Sequence, residues 1–233
     1  MSLATRGLRH GIGQYRYPHS YQLEGSVFTL TVEGGARVEL AFLDRSRMTR
    51  TDADGGAELS VYECLPVAAD VYFVSFEVGN RFAVLDLAAG RAVLIDADAG
   101  SHLIGMIEGF GGAAAGETPA DDADMSGTTV AWVLGDGKEV RQRFLAPGTV
   151  QQSWSPRHDR AHDCAAIEIP LGRGLYVVDV RGFAGPRLDV PQGLGRLILV
   201  QDYERMTAVG AVLSTVFNER VLLSGYGRFL DEE

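Results

Sequence analysis

Hydrophobic and polar residues alternate along this chain in short runs, and turn residues interrupt the runs before any longer periodicity develops. Val27–Val32 is the first run and Arg37–Leu43 the second, with Glu33, Gly34 and Gly35 as a turn signal between them. Leu59–Val67, Val71–Phe76, Phe82–Leu87, Ala92–Ile95 and Leu103–Ile107 follow. Side chains on a strand point alternately to opposite faces, so a two-residue period sets one apolar row against a core. Enrichment in β-branched and aromatic residues, with closely spaced turns, predicts an antiparallel meander. Gly111–Asp124 is rich in Ala, Gly and Asp without an apolar pattern and reads as a linker.

The second half repeats the first. Leu23–Gly25 matches Met125–Gly127, and Gly35, Val38 and Phe42 match Gly137, Val140 and Phe144 at the same offset. Pro66 and Tyr72 match Pro170 and Tyr176, Asp86 matches Asp202, and Gly109–Gly111 matches Gly225–Gly227. The shared order predicts an internal duplication. The expected organisation is an N-terminal segment, residues 1–22, a first repeat, 23–111, a linker, 112–124, and a second repeat, 125–233. A strand meander must hide its edges. With about seven or eight strands, a small closed barrel does so and leaves an interior that can hold one ligand. The alternative is a β-sandwich without a cavity.

Composition narrows the partners. The chain has 233 residues, of which 46% are hydrophobic, enough for one large core or two small ones. A formal net charge of -10 disfavours nucleic acid and anionic membrane surfaces as general partners. Arg141 and Arg143 could still hold one small anion. No apolar run approaches the roughly 20 residues that span a bilayer, and Met1–Tyr21 has no continuous apolar stretch like that of a secretory signal. Cys64 and Cys164 are the two cysteines and read as free thiols in a reducing, cytoplasmic compartment.

The sequence resembles a known family. Glu139–Leu145 (EVRQRFL), Trp154, Gly174–Arg181 (GLYVVDVR) and Leu197–Gly210 (LILVQDYERMTAVG) are similar to the C-terminal domain of the MoaF family, named for molybdenum cofactor biosynthesis. Tyr62 and Glu63, Asp70–Phe76 (DVYFVSF) and Phe82–Asp86 (FAVLD) are similar to its N-terminal domain. The resemblance implies two tandem lipocalin-like (calycin-like) antiparallel barrels. Phenolic acid decarboxylases share that barrel type, so catalysis without a cofactor is compatible with it, although a fold does not carry a function by itself.

Parity along the strands selects candidate site residues. Val38, Leu40 and Phe42 share an apolar face, and their counterparts are Val140, Gln142 and Phe144. Gln142 therefore stands where an apolar residue is expected, and a buried amide without partners costs about 1–3 kcal/mol. Gln152 and Trp154 share a face of the next strand, so Gln142, Phe144, Gln152 and Trp154 are the candidate ligand-binding set. On this reading Gln142→Leu weakens binding and leaves the fold stable or more stable.

Candidate catalytic groups are more scattered. Asp179 and Arg181 alternate on one face, where a carboxylate beside a guanidinium can orient an acid or else form a solvent-facing ion pair. His158 and Asp159, with His162, Asp163 and Cys164, form the densest polar cluster and read as a loop. It could supply acid–base chemistry, but its spacing does not form a metal site. Tyr62, Glu63 and Tyr72 pair phenols with a carboxylate on different strands. Tyr15, Tyr17, His19 and Tyr21 could cap a barrel mouth, and Asp86 and Asp202 are expected to stabilise turns. No phosphate-binding loop, dinucleotide fingerprint or nucleophile elbow is present.

Two functional readings remain open. One is a cofactor-independent lyase, isomerase or cyclase acting on an aromatic or polyketide-like compound bound in a barrel. The other is a non-catalytic carrier or sensor of the same kind of molecule. Both expect a small organic ligand, no cofactor, no metal, no nucleic acid and no membrane, and both are compatible with a homodimer.

Overall fold

A computed structural model of the chain describes residues 17–110, 125–135, 137–155, 157–172, 174–185, 190–214 and 219–231. Eight strands form the first sheet. They are β1 (Val27–Val32), β2 (Arg37–Phe42), β3 (Arg47–Thr51), β4 (Ala57–Ala68), β5 (Val71–Phe76), β6 (Arg81–Asp86), β7 (Arg91–Asp96) and β8 (Ser101–Ile107). Eight more form the second: β9 (Thr129–Leu134), β10 (Glu139–Ala146), β11 (Thr149–Trp154), β12 (Arg157–Gly172), β13 (Leu175–Gly185), β14 (Val190–Asp202), β15 (Thr207–Ser214) and β16 (Glu219–Phe229). Every neighbouring pair is antiparallel, and each sheet closes on itself, β1 against β8 and β9 against β16. Closure removes the open edges that a meander would otherwise expose. The fold is all-β with two closed eight-stranded barrels. Among the described residues there is no α-helix, and the single 3-10 turn is Glu33–Gly35.

Alternation fills both interiors. Inward rows of the first barrel include Phe28, Leu30 and Val32 on β1, Val38, Leu40 and Phe42 on β2, and Tyr72, Val74 and Phe76 on β5. Those of the second include Val130, Trp132 and Leu134 on β9, and Val140 and Phe144 on β10. The apolar runs missed one strand. Arg47–Thr51 (RMTRT) is polar but pairs with both β2 and β4, its inward positions being Met48 and Arg50. The stretch around His158 and His162 is likewise no loop. It is the first half of β12, held by pairs such as Gln152 with His162 and Val150 with Cys164. Backbone pairing on a closed sheet carries polar residues that periodicity alone would assign to a loop.

The two barrels match strand for strand. Pro66 pairs with Tyr72 just before a bulge, and Pro170 pairs with Tyr176 just before the equivalent bulge. Asp86 accepts the Ala89 N–H at 2.9 Å and Asp202 the Arg205 N–H at 2.9 Å, so both carboxylates close the same turn. Asp70 and Gly174 hold the same left-handed turn position, with φ of 59° and 70°, and each carbonyl accepts from the strand beyond. The register corrects one expected match. Leu30 pairs with Ile107 and Trp132 with Gly227, so Gly225 corresponds to Gly105 and not to Gly109.

The described part of the N-terminal segment is tied to the barrels. The Tyr17 N–H donates to Ser224 Oγ at 3.0 Å. His19 Nδ1 accepts the Cys64 N–H at 3.1 Å, the Tyr72 hydroxyl donates to Gln22 at 2.5 Å, and Leu23 is buried in the first barrel. Tyr15 lies outside the described residues.

Candidate functional site

The interior of the second barrel holds a polar network that the first barrel lacks. Gln142 on β10 and Gln152 on β11 face inward as a direct cross-strand pair and are 0% and 1% exposed. Gln142 Oε1 accepts the Trp132 indole N–H at 3.2 Å and the Gln201 amide at 2.7 Å. Gln142 Nε2 donates to Gln152 Oε1 at 3.2 Å. The Tyr203 hydroxyl in turn donates to Gln201 Oε1. Strands β10 and β14 lie four apart around an eight-stranded barrel, so the Gln142–Gln201 bond crosses the lumen.

The equivalent positions in the first barrel are apolar. Leu30, Leu40 and Leu85 stand where Trp132, Gln142 and Gln201 stand in the second. Burial pushes the Tyr203 phenol well above its ordinary pKa, with the Glu168 charge adding to it. It therefore stays protonated and serves as a donor. Gln201 and Tyr203 were not among the residues singled out by the sequence. The signal available was the replacement of Leu85 and Leu87 at matching positions, legible only once the register is known.

At one end the two barrels differ more sharply. The first barrel is closed there by charge. Arg50 pairs with Asp52 at 2.8 Å, and Arg81 bridges Glu58 at 2.5 Å and Asp96 at 3.1 Å. Strand register assigns the counterparts in the second barrel as Gln152, Trp154, His162, Leu197 and Val212. An ionic closure has thus become an amide, an indole, an imidazole and two aliphatic side chains. Trp154, Leu197 and Val212 are buried and His162 is half-buried. The wall also continues further, since β12, β13 and β14 have 16, 11 and 13 residues against 12, 6 and 6 for β4, β5 and β6. Their surplus length lies largely at this end, so this level is inside the second barrel.

One buried polar atom in the network has no hydrogen bond. Gln152 Nε2 is sealed from solvent and meets no acceptor among the described residues. Leaving such a donor unpaired costs about 1–3 kcal/mol.

Other sequence candidates fall elsewhere. Phe144 faces inward, below Gln142 on the same strand and opposite Val150. Asp179 is not part of a solvent-facing pair. It points out of the barrel wall, is 0% exposed, and is clamped by Arg196 at 2.6 and 2.8 Å and by Arg181 at 3.2 Å. A carboxylate held by two guanidiniums is a poor base. Tyr62 and Tyr72 do share the interior of the first barrel, but both are packed into its core. The Tyr62 hydroxyl donates to the Asp44 carbonyl at 2.9 Å, and burial, with nearby Cys64, Glu24 and Asp44, pushes its pKa to about 12. Burial raises Tyr72 as well. Glu63 has the opposite parity and faces away from both. His158 lies on β12, and its side chain is outside the described residues. Its neighbour His162 faces inward opposite Gln152. No group of three His, Cys, Asp or Glu among the described residues is placed to hold a metal ion.

Residues 4–100 match the family model of the MoaF N-terminal domain. The match supports a MoaF-family assignment for this part of the chain. The match covers most of the first barrel, through Gly100, and the polar network lies in the other barrel. A search of curated proteins returns no match. Among solved structures the chain is similar to the crystal structure of "a putative beta-lactamase from Burkholderia vietnamiensis". That match has 10% identity and a TM-score of 0.38 over 49% of this chain and 100% of the other. At that level it bears on neither activity nor ligand. No helix among the described residues is long and apolar enough to cross a membrane.

Proposed function

We propose that the second barrel binds a small, largely apolar organic molecule at the level of Gln152, Trp154, His162, Leu197 and Val212, and that the first barrel serves as the structural member of the pair. The observation that carries this reading is the exchange of the first barrel's ionic closure for an uncharged set of side chains at identical strand positions. Ligand sites are mostly apolar with a few placed polar groups, and that composition matches this level of the second barrel. The strand-for-strand match also supports reading residues 125–233 as the family's C-terminal domain, with a lipocalin-like role.

A carrier or sensor needs only walls and hydrogen bonds. A lyase, isomerase or cyclase also needs a titrating group. Of the described candidates we assign that task to His162, and its position across from Gln152 on the inner face supports the assignment. An imidazole there has the chemistry of a general acid or base.

Trp132 and Trp154 are the two tryptophans of the chain, so indole emission reports on this barrel. Titration with 8-anilinonaphthalene-1-sulfonate is expected to show saturable energy transfer from tryptophan. The double variant Gln152→Arg, Trp154→Asp, which installs the first barrel's ion pair, is expected to weaken it at least about tenfold, with Trp132 left as reporter. Equal affinity in the folded variant, or no transfer in the wild type, rejects this reading.

A further inference from the structure

The direction of the hydrogen bonds in the second barrel sets the chemistry of what can bind there. An indole N–H can only donate. Trp132 therefore fixes Gln142 with its oxygen toward the indole, and Gln201 donates to the same oxygen. The Gln142 amide nitrogen must then point at Gln152, and Gln152 must turn its oxygen to receive it. Turning Gln152 over would set two amide nitrogens against each other. Every link is thus fixed by a donor-only group at its root, and the network ends on the Gln152 amide nitrogen.

That nitrogen is the sealed donor that meets no acceptor among the described residues. It sits on the face shared with Trp154 and opposite His162. In the first barrel the same position is Arg50, whose Nε–H is already bound to Asp52 at 2.8 Å. The second barrel keeps a donor at this position and replaces its internal acceptor with a tryptophan.

We infer that the ligand of the second barrel carries a hydrogen-bond acceptor, a carbonyl or carboxylate oxygen on an otherwise apolar body, and that Gln152 Nε2 donates to it. This rests on the binding reading above and deepens it. Hydrocarbons and ligands that offer only donors at this point leave the amide unpaired and bind less well. The ring of Trp154 walls the apolar body, and the network behind Gln152 holds the amide in place before the ligand arrives, so little ordering remains to be done on binding.

The test uses three probes of one size, with the full chain and tryptophan emission as readout. Acetophenone offers a neutral carbonyl, benzoate a carboxylate, and ethylbenzene neither. Acetophenone or benzoate is expected to bind at least about tenfold more tightly than ethylbenzene, the effect of roughly one buried hydrogen bond. The better of the two tells a ketone or ester ligand from an acid. Gln152→Leu should bring the acceptor probe to within about threefold of ethylbenzene. Gln152→Glu, which still accepts from Gln142 but offers no donor, should lose the preference too and serves if the leucine variant does not fold. Equal binding of all three probes, unchanged in either variant, overturns the acceptor assignment and leaves the binding site standing. No response to any probe overturns both.

Discussion

Gln142 shows how one side chain can look like a ligand contact and be something else first. It receives two hydrogen bonds and gives one, all inside the barrel. Gln142→Leu would orphan the Trp132 N–H, the Gln201 amide and the Gln152 oxygen together. The expectation that this change leaves the fold stable therefore reverses. It should lower stability by about 1–3 kcal/mol or more, because unpaired buried groups cost more than a made bond returns. Adding Gln201→Leu and Tyr203→Phe to Gln142→Leu removes the stranded Gln201 amide together with the hydroxyl that it would otherwise leave unpaired, and should recover part of the loss. Urea unfolding of the wild type and these two variants checks both statements. The sequence exposed Gln142 because its counterpart Leu40 sits on an apolar row. It could not expose Gln201, since that contact depends on two strands facing each other across a lumen. Asp179 was misplaced for a related reason: alternation tells which face a residue takes, but not whether that outer face is covered.

Elements were legible where apolar residues alternate with polar ones or form a short continuous run, and illegible where the stretch is mostly polar. β5 and β6 follow directly from their sequences. β3 and the start of β12 are polar and are strands only because both neighbours pair with them. Equivalent strands also trade volume in pairs. Leu30 faces Ile107 in the first barrel, and in the second the larger Trp132 faces Gly227. A Cβ on Gly227 would lie 2.4 Å from the indole ring. Gly227→Val should therefore destabilise by roughly 1–3 kcal/mol, the cost of overpacking. Gly227→Ile with Trp132→Leu should be less damaging than the sum of its parts, apart from the lost donor to Gln142. A double-mutant cycle by urea unfolding measures that coupling, and additive losses would show that the pair does not share its space.

At the scale of the whole molecule, duplication was readable as an ordered set of weak matches, while the difference between the barrels was not. That difference resides in which charges meet at one end, and the partners there come from strands far apart in sequence. Both thiols lie buried, and burial pushes Cys64 to about 12 and Cys164, with the charge of Asp163 adding, to about 11. The unfolded chain releases these protons near the ordinary thiol value of 9.0, earlier than the folded one. The folded state then holds more protons, so stability falls as pH rises from about 9 toward 12, and below 9 this contribution is constant. Chemical unfolding across that range should show the decline. In parallel, thiol reagents should find two groups per chain in denaturant and react slowly with the native protein.

The most direct test of a ligand site in the second barrel is a crystal structure of the protein grown with acetophenone. Electron density for the ring should lie beside Trp154, with the carbonyl oxygen about 2.7–3.2 Å from Gln152 Nε2 and the first barrel unchanged. Density in the first barrel, or an ordered water on Gln152 with the probe bound only at the surface, would contradict the account.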